Sequence, residues 1–158
     1  MTSDIEIENL NRSLQTAFDK HGLKRKNRYY NLTTIQNFIH HLPKIKDKNR
    51  KQLVYDNLTE YLLIINTMPE SEELDAKSSD ELFSKYLQPL INIYEIRLGF
   101  APFIRLPFLL IFFILAEAVA FGFRGSLWIH LAIDVVFLSY AIYQMYKRKQ
   151  KKVYGLFV

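Results

Sequence analysis

The chain has 158 residues, no cysteine and a formal net charge of +5. That length allows one domain of ordinary size, and the lack of cysteine excludes disulfides and thiolate chemistry. The near-zero mean hydropathy of -0.05 hides a division between polar, charged residues 1–100 and a stretch from 106 to 146 that is almost free of charge.

The acidic start, MTSDIEIENL, lacks an apolar run and does not read as a secretory signal. Ser3 and Glu6 have capping-box spacing, and Ile7, Leu10, Leu14, Ala17 and Phe18 follow at helical intervals, so a first helix is predicted to stop at Gly22. A basic run, Lys24, Arg25, Lys26 and Arg28, leads to Tyr29-Tyr30. Leu32, Ile35, Phe38, Ile39 and Leu42 mark a second short helix that Pro43 ends. His40 and His41 are adjacent, so they do not share a helix face and are not expected to act as paired ligands. Interaction with the helix C-terminal dipole is the expected role.

A basic linker around Lys44 to Lys51 precedes a third helix over about 47–66, with Leu53, Val54, Leu58, Tyr61, Leu62 and Ile65 on its apolar face. The acidic residues from Glu70 to Glu81 read as a solvated loop. Ser78 and Glu81 have capping-box spacing and are predicted to open a fourth helix, kinked at Pro89. Leu90 to Leu98 is apolar nearly all round and continues as helix towards the next segment.

From Leu106 to Tyr146 two apolar runs flank Gly-Phe-Arg-Gly-Ser. Each approaches the roughly 20 residues that cross a bilayer. The predicted class is therefore all-α: a small cytosolic helical domain (1–100), then a C-terminal two-helix transmembrane hairpin (101–146) and a basic cytoplasmic tail (147–158). The spans are placed at about 106–123 and 127–146, with the turn at Arg124 and Gly125. By apolarity the first span is the stronger, and the second is expected to depend on it. The tail carries Lys147, Arg148, Lys149, Lys151 and Lys152, whereas the turn carries Arg124 alone. Positive residues stay inside, so both termini are expected in the cytoplasm. These tail cations, Arg105 and the Lys24–Arg28 run are the expected contacts for anionic headgroups. Nucleic acid is not expected as a partner.

Glu117, His130 and Asp134 are ionisable residues within the spans. Each charged group at a helix centre costs about 2.5–3.5 kcal/mol on insertion scales. His130 and Asp134 are four apart on one face, and folding about Gly125 brings Glu117 level with Ile133. The three are expected to converge, with Arg124 reaching back towards Glu117. The small-residue pairs Ala116/Ala120 and Ala118/Gly122, and Ala141 on the second span, permit close helix approach. Such a polar cluster either fastens the hairpin or lines a proton or cation pathway. Metal binding is not expected, because no ligand motif accompanies the set.

Five glycines, no phosphate-binding loop, no nucleophile elbow and no zinc-binding helix motif speak against an enzyme, and no cofactor is expected. A two-helix hairpin encloses no pore, so conduction requires a homo-oligomer or a larger membrane complex. The reading is a small oligomeric membrane protein with a possible ion pathway gated or assembled by the helical domain. The alternatives are a non-conducting anchor or scaffold subunit and, less favoured, a membrane-permeabilising effector.

Overall fold

A computed structural model describes residues 4–22, 27–69, 71–104, 106–122 and 126–155, with backbone only for 27, 28 and 106. The molecule is mostly helical. Its helices are α1 (Asp4–His21), α2 (Leu32–His41), α3 (Lys48–Thr67), α4 (Ala76–Leu82), α5 (Gln88–Leu98), α6 (Leu106–Gly122) and α7 (Leu127–Lys149). Two-residue strands β1 (Ala101–Pro102) and β2 (Val153–Tyr154) pair in parallel, Ala101 opposite Val153.

Helices α1, α2 and α3 pack together, and their predicted apolar faces become the core: Leu10, Leu14, Ile35, Phe38, Leu58 and Leu62 are buried. Asp47 caps α3 by accepting the Arg50 amide at 3.1 Å, which releases the helix from the preceding linker. Pro43 does end α2, inside a single 3₁₀ turn over Leu42–Lys44. Ser3 lies outside the described residues, so the first capping box does too.

One predicted boundary moves. Ser78 does not open α4. Asp75 does, with its carboxylate accepting the Ser78 amide at 2.7 Å, so the cap lies three residues earlier. Helical backbone runs without a break from Ala76 to Leu98, and a π-turn over Phe83–Leu87 interrupts its regular bonding just before Pro89.

The acidic segment is only partly a loop. Ala76 to Glu81 is helical, and Leu74 is buried, its amide donating to the Tyr30 hydroxyl at 3.3 Å. One apolar residue within the acidic run thus pins it to the core. A short chain of side-chain hydrogen bonds also runs inside the domain. Asn31, in the left-handed region at φ 51°, donates to the Tyr61 hydroxyl at 3.2 Å, which donates to the Tyr30 carbonyl at 3.2 Å. Burial pushes the Tyr61 phenol up, partly offset by the Asn31 bond.

The backbone of the tail returns to the helical domain. Val153 is buried, and its carbonyl accepts the Asn37 side-chain amide at 2.8 Å. Thr34 Oγ1 donates to the Gly155 carbonyl at 3.1 Å, and the Tyr154 hydroxyl donates to the Glu95 carboxylate at 2.5 Å. Burial first, then the Glu95 carboxylate, push the Tyr154 phenol up. Parallel pairing of Ala101 with Val153 leaves Ala101 N–H donating to the Lys152 carbonyl at 3.1 Å. The start of α6 and the end of α7 are therefore tied to the same side of the helical domain.

Candidate functional site in the hairpin

Helices α6 and α7 pack against each other and expose almost everything else. Only 6% of the most apolar stretch of α7 is buried. Phe112 is 59% exposed, Phe121 80% and Trp128 77%, part of an apolar surface that runs along both helices. α7, at 23 residues, is long and apolar enough to cross a bilayer. α6 has 17 residues, about 26 Å at 1.5 Å per residue, and falls short of that length. The sequence ranked the spans by apolarity, with the first the stronger. Length ranks them the other way.

The α6 face turned to α7 carries Leu109, Phe113, Ala116, Glu117 and Ala120, none of them fully exposed. Its counterpart on α7 runs His130, Ile133, Phe137, Tyr140, Ala141 and Gln144. Phe113 meets Phe137 edge to face at 5.2 Å. Of the predicted small residues, Ala120 is buried and Ala116 and Ala141 are half-buried in this seam. Ala118 and Gly122 are exposed, and a Cβ at Gly122 would meet nothing within 4 Å. They lie outside the α6–α7 contact. Two residues turn a helix by about 200°, so Ala116 and Ala118 cannot face the same neighbour.

Glu117 and His130 meet across the seam, Oε2 to Nδ1, at 2.5 Å, and both are half-buried. One proton lies between the two atoms. The second carboxyl oxygen, Oε1, is buried with no hydrogen-bond partner among the described residues. Asp134 does not join them. It is exposed, four residues along α7 and about 40° round the helix from His130, so the expected convergence of three groups becomes a pair and an outlier. Among the described residues no group of three or more His, Asp and Glu side chains stands where it could hold a metal ion.

At the hairpin base, buried Gln144 donates to the Pro102 carbonyl at 3.0 Å and to the Tyr140 hydroxyl at 2.8 Å. Lys147 Nζ donates to the Gly99 carbonyl at 2.6 Å. Gly99 ends α5 at φ 67°, and a Cβ there would press to 3.3 Å from that ammonium, so both the backbone turn and the close approach favour glycine. Arg148 stacks over the Phe103 ring at 5.4 Å, Lys149 and Lys151 are exposed, and Lys152 is half-buried. Arg105, Lys24, Arg25 and Lys26, the turn residues Arg124 and Gly125, and the Arg28 side chain lie outside the described residues.

Sequence reasoning missed Gln144 and Asn37, which fasten the hairpin and the tail. Both are single amides in otherwise ordinary helical patterns, and nothing local marks them. Comparison with protein families, curated proteins and solved structures finds no match to this chain.

Proposed function

We propose that this chain is a small, non-enzymatic, oligomeric integral membrane protein. α6 and α7 cross the bilayer as a hairpin, both ends lie with the helical domain in the cytoplasm, and several hairpins assemble around a polar face that passes protons or cations. The observation that carries the reading is the Glu117–His130 bond between the helices with Asp134 exposed one turn further on. An outward carboxyl within a span costs about 2.5–3.5 kcal/mol against lipid. A second copy or a water-filled cavity between copies removes that cost. Ala118 and Gly122, exposed on α6, offer the close approach that membrane helices need. The tail bonded to α2 couples the domain to α7, so an event at the domain can favour one arrangement of hairpins over another.

The test is reconstitution of the full chain in vesicles, with proton and potassium flux followed by dyes. Glu117→Gln and Asp134→Asn are expected to lower flux at least about tenfold, of the order of one charged group's interaction. Unchanged flux in both variants sinks the pathway.

A second reading, a non-conducting anchor or scaffold subunit, is favoured by one observation: the Glu117–His130 bond already joins the two helices as an interhelical fastening. Under it, wild-type vesicles show no flux above empty ones, while Glu117→Gln weakens hairpin association.

A further inference from the structure

We infer that a cavity between the α2–α3 linker and the last turn of α5 binds a phosphate group. The cavity encloses about 410 Å³ and is lined by Lys44, Lys46, Arg50 and Arg97, with Asp47 the one carboxylate. That volume lies within the range of small-ligand sites, roughly 300–1,000 Å³. Four cations against one anion leave a local charge of +3, brought together from the 44–50 stretch and the end of α5. Asp47 pairs with one of the four, Arg50: its Oδ1 accepts the Arg50 amide at 3.1 Å, and its Oδ2 faces Arg50 Nε at 3.5 Å. No ion pair among the described residues engages Lys46 or Arg97. Such a set fits a multivalent oxyanion, and the two guanidinium groups suit the paired oxygens of a phosphate. Ile45 and Leu98 add apolar lining for the carbon skeleton that carries it.

The location suggests where that phosphate comes from. Arg97 lies two residues before Gly99, whose carbonyl holds Lys147 at the end of α7. On the membrane reading proposed above, on which this part rests, the cavity opens near headgroup level. A phosphate ester is the shared chemistry, carried by an anionic lipid or by a free glycerol phosphate.

The experiment uses the full chain in phosphatidylcholine nanodiscs. Binding is measured in two arms: phosphatidic acid incorporated in the disc, and soluble glycerol 3-phosphate added outside. Arg97→Gln and Lys46→Gln are compared with Lys77→Gln, an exposed cation on α4 away from the cavity. The expected result is a loss of about tenfold in affinity for each cavity variant and less than about twofold for Lys77→Gln. Equal losses in all three mean diffuse surface attraction and overturn the site. Folding is checked by the melting temperature, and Arg97→Lys, which keeps the charge but loses the fork, is expected to fall between wild type and Arg97→Gln. Binding in the lipid arm alone assigns a headgroup, and binding in the soluble arm assigns a free phosphate ester. A chain that binds glycerol phosphate through Arg97 but fails to insert into bilayers would retain the site and discard the membrane reading. Insertion without Arg97 dependence would do the reverse.

Discussion

The helical domain and the hairpin are built from the same kind of helix and hold together in opposite ways. In the domain, apolar residues recur at helical intervals and vanish into a core: Phe38, Tyr61, Leu62 and Tyr94 are wholly buried. In α6 they run all round the helix, and among the described residues only Ala120 is buried. A single hairpin has one partner and so one covered face. Its remaining apolar surface is uncovered, while the domain supplies its own cover. Cohesion within the domain comes from a shared core, and the hairpin shows only the seam between its two helices.

The largest expected effect tests that difference directly. Phe38 stacks on Tyr94 at 4.1 Å and meets Phe100 at 5.6 Å. Phe38→Ala should lower domain stability by about 3–5 kcal/mol. Phe112→Ala, the same truncation on an exposed α6 position, should change it by less than about 0.5 kcal/mol. Denaturant unfolding of detergent-solubilised protein, followed by circular dichroism, measures both. Similar losses would mean that the two regions share one core after all.

A smaller effect is expected where the regions join. Asn37→Ala removes the donor to the buried Val153 carbonyl and leaves that oxygen unpaired, at a cost of about 1–3 kcal/mol. The tail should then open more often, and trypsin should cut at Lys149, Lys151 and Lys152 faster than in the wild type. Equal cutting rates would show that the tail is not held through α2, and the proposed coupling of domain to hairpin would lose its link.

How much of this was legible in the sequence depends on the range of the interaction. α1, α2 and α3 were readable because apolar residues recurring at helical intervals are a local pattern. The Glu117–His130 bond was readable because few residues separate the two apolar runs, which limits which positions can stand level. The exposure of Asp134 was not, since it turns on a rotation of about 40° set by how the helices cross. The β1–β2 pair was not either. Two residues show no alternation, and Lys151-Lys152-Val153 reads as charge although its carbonyls and one valine do the binding. The π-turn before Pro89 left no mark, because the residues there suit an α-helix equally well.

The smallest expected effect concerns protonation at the same junction. His41 is buried, with Nε2 at 2.9 Å from the Gln150 carbonyl and Nδ1 at 3.2 Å from Lys44 Nζ. The carbonyl accepts only, so Nε2 donates. The ammonium donates only, so Nδ1 accepts, and the ring is neutral. This replaces the expected helix-dipole role with a bond to the tail. Burial lowers the His41 pKa most; the Gln150 bond works upward, while Lys44, His40 and Lys152 add to the lowering. His40 shifts the same way through partial burial, Lys151 and Lys44. A histidine whose folded pKa is depressed contributes stability that is complete above its unfolded pKa, about 6.5, and is lost as pH falls through the lower folded value. Tail protection against trypsin, or the melting temperature, should therefore decline between about pH 7 and about pH 5. His41→Gln keeps a donor for the Gln150 carbonyl and cannot titrate, so its profile should be flatter than that of the wild type. Parallel profiles would show that His41 does not sense pH at the tail, and that the seam between domain and hairpin is held by the amide and backbone bonds alone.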